Sequence, residues 1–431
     1  MKVSLMRFLD ALLGVPACIF LTLLRYLGGP TPERPLDMKR RKILFIKLAE
    51  QGSTILARPM LQRAAEIFGR NNLYFLVFDD NRFVLDALGI IPTENVITIP
   101  HETITQVLFG AIKAIRKARG IGFDFAIDME FFARSTAALA YLSGARWRIG
   151  FHAFHGEAAY RGNLMTHRLI CNQHIHTADL FEVMLDAVFE DPRQLPTFGK
   201  KIPAYVESSE TEAPLYKLRS GELDETRDIV RAASGDKPSH GLPLILLNSN
   251  CGDLIPLRRW HEDNYRDLTQ RLLRRYPELH VGFTGGPSEK REVEKQVAAI
   301  DHPRCFNLAG LTSLRQLMAL YFLAEIMVTN DSGPAHFSSL APIDTVTLFG
   351  PENPALFRAR SPRSHVFWAG LACSPCVTAA NGRNTVCRNN LCMQAINVDD
   401  VYQKVCELYE KRRKRKTTRR KTPLRKKPAR V

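Results

Sequence analysis

The chain is short of cysteine, short of acid at one end and short of long uncharged apolar runs at its start, and each shortage excludes something. Nine cysteines in 431 residues are too few for a secreted disulfide scaffold. Five of them, Cys18, Cys171, Cys251, Cys305 and Cys406, stand singly in apolar or helical contexts, which suits a reducing compartment. No acid occurs from Lys411 to Val431, a stretch that holds 13 of the 60 Lys and Arg residues. The formal net charge of +16 is therefore largely a tail, and the remainder of the chain carries only +3. That tail has no aromatic residue to stack on bases, which argues against nucleic acid as a partner. No G-x-G-x-x-G follows the first strand-like segment, which disfavours a bound dinucleotide. Core-forming residues, by contrast, are plentiful. With 45% hydrophobic and 9% aromatic residues the chain is neither disordered nor of low complexity, and its length suits two or three domains.

At the N-terminus an uncharged run extends from Ala11 to Leu24 between Arg7 and Arg25. These 14 residues fall short of the about 20 that a spanning helix needs. A cleaved signal peptide, a short anchor dipping into one leaflet and an amphipathic helix on a membrane surface all compete for this run. Pro16 favours a bent or interfacial segment, and a helix docked on the protein's own surface is the alternative. The basic C-terminus reads as a disordered tail, drawn to an anionic membrane surface by about 1 kcal/mol per basic residue. Two such signals together give stable anchoring.

Between the ends, strand-like segments alternate with stretches of helical length. Lys42–Ala49, Asn72–Phe78, Val96–Pro100 and Phe123–Met129 read as strands, and the alternation restarts at Pro243–Asn248, His280–Gly286, Ile326–Asn330 and Thr345–Gly350. This alternation predicts an α/β fold of two doubly wound domains, each a parallel sheet covered on both faces, with a ligand cleft between the carboxyl ends of their strands. The expected division is an apolar segment and linker at 1–35, an N-terminal domain at 40–206, a linker at 207–240 and a C-terminal domain at 241–370. A cysteine-containing loop at 371–396, a helix at 397–411 and the disordered tail at 412–431 complete it.

The most informative segment is Val328-Thr-Asn-Asp-Ser-Gly-Pro-Ala-His336, which runs from a strand end into a helix. Ser332 and Gly333 at the helix start present unpaired backbone N–H groups to a phosphate. Asp331 can only accept, so its partner is a ligand hydroxyl or amine, and His336 could donate to a phosphate oxygen. An ordinary helix cap by Asp331 or Ser332 is the plainer reading. A second polar turn, Thr284-Gly285-Gly286-Pro-Ser-Glu289, lies at a neighbouring strand end, and together the two loops suggest a nucleotide diphosphate. Further on, Cys373, Cys376, Cys387 and Cys392 fall within 20 residues. They could hold a structural zinc, remain reduced thiols or form two labile disulfides.

The segment Asn330-Asp-Ser-Gly-Pro-Ala-His336, with Leu348-Phe-Gly-Pro351 after it and Asn307-Leu-Ala-Gly-Leu-Thr-Ser-Leu314 before it, resembles the donor-site region of glycosyltransferase family nine, the lipopolysaccharide heptosyltransferases. Ile43-Leu-Phe-Ile-Lys-Leu48 with Gly52, Phe123-Asp-Phe-Ala-Ile-Asp128 and Ser143-Gly-Ala-Arg-Trp-Arg-Ile-Gly-Phe151 are similar to that family's N-terminal motifs. The resemblance covers about Lys42 to Leu408. It implies a GT-B architecture of two Rossmann-like domains, and inverting transfer that requires no cofactor or metal. The implied donor is a nucleotide-diphosphate sugar, typically ADP-heptose. The implied acceptor is a lipopolysaccharide core or a lipid-linked molecule, met at the cytoplasmic face of a bacterial inner membrane by a peripheral or monotopic enzyme. Carried over by position, Asp331, Ser332, Gly333 and His336 hold the donor, with Gly285 and Gly286 in the neighbouring turn. Arg258 falls near the diphosphate, Ser249 and Asn250 in the loop before it, and Glu289 near the ribose.

One position departs from the family. Its first strand is followed by a Gly-Asp pair whose aspartate is taken as the general base, and here the pair is Gly52-Ser53. A serine hydroxyl has no useful basicity at neutral pH. Glu50 in the same loop is the first substitute, Glu130 and Asp128 the second, and His152 and His155 the third. A transferase using another nucleotide sugar, and a degenerate, non-catalytic binding protein, are the alternatives.

Overall fold

The computed structural model describes residues 3–29, 37–155, 159–197, 215–235, 243–252, 255–379 and 381–421. The first sheet contains β1 (Ile43–Ile46), β2 (Leu73–Phe78), β3 (Val96–Ile99), β4 (Phe125–Asp128), β5 (Trp147–Phe151) and β6 (His167–Leu169). The second contains β7 (Leu244–Asn248), β8 (His280–Phe283), β9 (Cys305–Asn307), β10 (Ile326–Asn330), β11 (Asp344–Phe349) and β12 (Ser364–Trp368). Their orders are β3-β2-β1-β4-β5-β6 and β12-β11-β10-β7-β8-β9, the same doubly wound pattern used twice, with every pairing parallel. The central strands are apolar without alternation because both faces are covered; all residues of β1, β4, β7 and β10 are buried.

In each sheet the order reverses beside the first strand, so the loops after β1 and β4 diverge, as do those after β7 and β10, and leave a crevice. Those four loops carry Glu50 and Gly52, Glu130, Ser249 and Asn250, and Asp331 respectively. Away from the crevice the two domains share apolar contacts. Leu180 and Phe181 of the first domain and Phe337 and Leu340 of the second belong to one buried cluster, and the Phe83 and Phe337 rings lie 6.1 Å apart.

Several segments differ from expectation. In place of a single stretch of helical length between β1 and β2 stand two helices, Gln51–Leu56 and Arg58–Phe68, the second with proline in its first turn. Within the linker expected at 207–240, residues 215–235 hold the helix Glu222–Ala233. The Tyr216 N–H beside it donates to the Leu340 carbonyl at 2.7 Å, and the rest of that linker lies outside the described residues. The final helix does not stop at 411 but continues from Val398 to Lys421. Arg412, expected in a disordered tail, is folded in: its guanidinium pairs with Asp344 and Glu325 and donates to the Pro342 carbonyl. Residues 422–431 lie outside the described set.

The N-terminal run is part of one helix, Val3–Leu27, that passes through Pro16. Its stretch Leu5–Leu27 is long and apolar enough to cross a membrane, by length and composition alone. One side is fastened to the first domain. The Asp10 carboxylate accepts from the Arg134 and Ser135 N–H groups at 3.1 and 2.8 Å, capping the helix Arg134–Leu142. Cys18 and Leu21 are buried, the Thr22 hydroxyl accepts from the Asn163 N–H at 2.9 Å, and Arg25 donates to the Asn163 carbonyl. On its other sides Phe8, Leu12, Leu13, Ile19, Phe20 and Leu23 are exposed. The helix Ile104–Ile121 packs on the same apolar cluster and exposes Leu108 and Phe109.

Candidate active site in the interdomain cleft

On the N-terminal side the loop after β1 is held by carboxylates. Glu130 Oε1 accepts from the Leu48 and Ala49 N–H groups at 3.0 and 3.2 Å, and its Oε2 lies 3.2 Å from Lys47 Nζ. Lys47 has no exposed side-chain surface and lies 3.5 Å from Glu50 Oε2 as well. Glu50 begins the helix Gln51–Leu56 with a left-handed backbone, φ 67 and ψ 74. The Ser53 hydroxyl lies 2.9 Å from the Glu50 carbonyl oxygen and 3.3 Å from its Oε2. Ser53 thus supports the Glu50 carboxylate.

The C-terminal side is made by the loops after β7 and β10. Asn330 stitches them: its Oδ1 accepts from the Trp260 N–H and the Tyr265 hydroxyl at 3.0 and 3.2 Å, and its Nδ2 donates to the Ser249 and Asn250 carbonyls at 2.9 and 3.3 Å. Around this stitch several buried side-chain atoms have no hydrogen-bond partner among the described residues: Ser249 Oγ, both Asn250 amide atoms, Arg258 Nε, Asp331 Oδ2 and His336 Nδ1. Leaving a buried polar group unpaired costs about 1–3 kcal/mol, so so many together mark a surface shaped for a polar ligand. A Cβ on Gly333 would meet nothing within 4 Å, so that position borders open space. Gly285 packs against Asn250 and Glu289, and Glu289 Oε2 accepts from the Gly286 N–H at 2.7 Å. The Ser332 hydroxyl is not a helix cap; it lies 3.1 Å from the Asn330 carbonyl oxygen.

The two sides meet. A Cβ on Gly52 would lie 2.5 Å from His336 Cδ2, so only glycine lets the first loop approach this imidazole. Burial, reinforced by the Arg258 charge, lowers the His336 pKa to about 4, which keeps the ring neutral at pH 7 with one N–H to donate. Arg258 Nη1 lies 3.4 Å from Glu352 Oε2 and 3.7 Å from Asp331 Oδ2. Burial, and next the neighbouring Asp331 charge, push the Glu352 pKa up, as expected where two carboxyl groups share a site. Arg383 closes the cluster: it pairs with Glu50 from the opposite domain, and its Nε lies 3.6 Å from Glu352 Oε1. Burial opposes ionisation of Glu50, but the Arg383 and Lys47 charges outweigh it and hold the carboxyl well below the usual range.

Sequence reading missed Lys47, Asn330, Glu352 and Arg383. Lys47 looked like one residue of a strand, and Asn330 like the lead-in to Asp331. Glu352 directly follows the Gly-Pro already noted, the one signal available, while Arg383 sits in a segment read only for its cysteines.

Other expectations need correction. Asp128, the substitute base expected beside Glu130, has no exposed surface to offer a substrate: it is fully buried, paired with Arg161, and takes hydrogen bonds from the Thr136 hydroxyl at 3.1 Å and the Glu130 N–H at 3.2 Å. His152 and His155 lie on the loop after β5, with the His152 ring edge-on to Phe154 at 4.8 Å. The zinc reading of Cys373, Cys376, Cys387 and Cys392 finds no ligand set. Among the described residues only Asp79, Asp80 and His101 bring three ligand atoms within 4.8 Å of one another, at an exposed position. The Cys387 thiol donates to the Asn389 carbonyl at 3.0 Å, Cys376 Sγ accepts from Thr385 at 3.5 Å, and Cys373 is exposed.

Comparison with known proteins agrees with this architecture. The sequence pattern described as glycosyltransferase family 9 (heptosyltransferase) matches residues 111–386. The chain is 27% identical over 318 residues to the lipopolysaccharide core heptosyltransferase OpsX of Haemophilus influenzae, covering 73% of this chain and 80% of that one. It is 30% identical over 100 residues to lipopolysaccharide heptosyltransferase 2 of Salmonella typhimurium, a match that spans 23% of this chain and 29% of the relative. The solved structure of the E. coli ADP-heptose lps heptosyltransferase II superposes with a TM-score of 0.64 at 18% identity, over 86% of this chain and 99% of that one.

Proposed function

As the chain belongs to glycosyltransferase family 9, we propose that it transfers a heptose from ADP-heptose, with inversion, to a lipopolysaccharide-core or lipid-linked acceptor. The observation that carries this reading is the group of buried, unpartnered polar atoms around Ser249, Asn250, Arg258, Asp331 and His336. A nucleoside diphosphate sugar offers such atoms both acceptors and hydroxyl donors. Asp331 takes a hydroxyl of the donor, while Arg258 and the neutral His336 N–H face its diphosphate.

The acceptor hydroxyl oxygen attacks the anomeric carbon from the side opposite the diphosphate. The bond from that carbon to the diphosphate oxygen breaks, and its electron pair leaves on the diphosphate, where Arg258 stabilises the growing charge. Glu50 takes the proton of the attacking hydroxyl, and Glu130 is a positioning residue that keeps the loop of Glu50 in place through two N–H groups. Glu50→Gln is therefore expected to lower turnover by about two to four orders of magnitude while ADP still binds. Near-normal turnover in that variant would take Glu50 out of the mechanism.

The same reading places the enzyme peripherally on the cytoplasmic face of the inner membrane. The exposed Phe8, Leu12, Leu13 and Phe20 support it, as does the basic C-terminal segment. Replacing Phe8, Leu12 and Phe20 by serine should abolish co-sedimentation with anionic vesicles and spare turnover on a soluble acceptor.

The presence of Ser53 where the family has aspartate favours a second reading, a non-catalytic binding protein. A thermal-shift screen with ADP-, GDP- and UDP-sugars bears on both. Stabilisation by one nucleotide together with turnover supports the enzyme and identifies the donor class, and stabilisation without turnover supports the binding protein.

A further inference from the structure

Among the described residues three non-glycine positions have positive φ, Glu50 (67), Asp301 (47) and Arg383 (57). Two of the three are the partners of one ion pair that crosses the cleft. A left-handed backbone is unfavourable for a non-glycine residue, and such strain persists where the surroundings over-determine it. Here both ends of one bridge carry it. The Arg383 guanidinium lies over the Phe357 ring, 5.8 Å from its centroid, with 11% of its side chain exposed.

Every buried cation of the cleft is already held by a carboxylate: Lys47 by Glu130 and Glu50, Arg258 by Glu352 and Asp331, Arg383 by Glu50 and Glu352. A fourth cation, Arg7, is exposed on the N-terminal helix within electrostatic reach of Glu50 and Glu352. A diphosphate entering between Arg258 and Arg383 must compete for them. Arg258 is tied inside its own domain, where it also donates to the Cys251 carbonyl at 3.2 Å. Arg383 is the one whose partner belongs to the other domain.

We propose that the Arg383–Glu50 pair is a donor-operated latch: the diphosphate draws the Arg383 guanidinium away from Glu50, and the freed carboxylate then takes the acceptor proton. This rests on the reading of Glu50 as the base. It resolves a tension in that reading, because a carboxylate held by a guanidinium and an ammonium is a poor base. It also sets an order of events in which the acceptor is activated only once the donor is seated.

Calorimetric titration of the full chain with ADP, and with inorganic pyrophosphate as a probe that needs no base recognition, tests the latch. Glu50→Gln should bind both probes about five- to fifty-fold more tightly than the natural protein, since nothing then competes for Arg383. Arg383→Gln should bind them more weakly, and the double variant should match Arg383→Gln, the gain from Glu50→Gln having vanished. Glu50→Ala repeats the comparison if Glu50→Gln shifts the melting temperature. An unchanged or weakened affinity in both Glu50 variants, a gain that survives in the double variant, or no binding of either probe to any variant overturns the latch. Turnover separates it from the reading beneath. Tighter ADP with turnover retained keeps the latch and removes the base, whereas lost turnover with unchanged affinity keeps the base and removes the latch.

Discussion

On the N-terminal side of the cleft the carboxylates Asp128, Glu130 and Glu50 are each engaged by a cation or a backbone N–H. On the C-terminal side, built on the same strand order and as deeply buried, Ser249 Oγ, the Asn250 side-chain amide and His336 Nδ1 have no hydrogen-bond partner among the described residues. One fold used twice has thus produced one surface that satisfies itself and another that leaves hydrogen-bonding capacity open. The difference explains why Arg383 matters: it is contributed by the second surface and held by the first.

The largest effect expected from this contrast is on the satisfied side. Arg161→Ala leaves Asp128 buried without its cation and should lower unfolding stability by about 3–5 kcal/mol, read as a reduced midpoint in urea. An unchanged midpoint would mean that this side does not depend on its own pairs. Where the sides touch, Gly52→Ala drives a Cβ against the His336 ring and should cost about 1–3 kcal/mol, measured by the same titration.

Acidification acts on both sides. Burial lowers the pKa of His167, His176 and His336 to about 4. The folded values lie below that of the unfolded chain, so the contribution is complete above pH 6.5 and is lost as pH falls towards 4. The loss is about 1 kcal/mol per pH unit for each histidine, and His336→Asn should remove one share of that slope. The smallest stability effect belongs to the unsatisfied side. Asn250→Ala should change stability by no more than about 0.5 kcal/mol yet weaken ADP about tenfold. A large stability loss there would show that Asn250 serves the fold and not a ligand.

The apolar strands made the doubly wound plan legible, since runs such as Ile43-Leu-Phe-Ile46 and Ile326-Met-Val-Thr-Asn330 can only be covered on both faces. The edge strands β6, β9 and β12 were not, because His167-Arg-Leu169 and Cys305-Phe-Asn307 are short and half polar and owe their form to a neighbour. In the site, residues next to glycine turns could be read because a chain reversal at a strand end leaves a local pattern. Glu50 was found through Gly52, and Asp331 through Gly333. Arg161 and Arg383 escaped because they act across 33 and 333 residues of sequence, and pairing at such distances leaves no periodicity. Asp128 was misread for the same reason: nothing near it reveals the arginine that occupies it.

The N-terminal helix is joined to the first domain through Asp10, Thr22 and Arg25. A molecule mounted this way has a stator and a rotor. If the exposed apolar side of the helix meets a membrane, as proposed, the half that carries Glu50 has a fixed bearing to that surface, and the half that carries Arg258 and Arg383 is held to it only through the first. On that reading a lipid-borne acceptor would be met by a search in two dimensions and a soluble donor by a search in three.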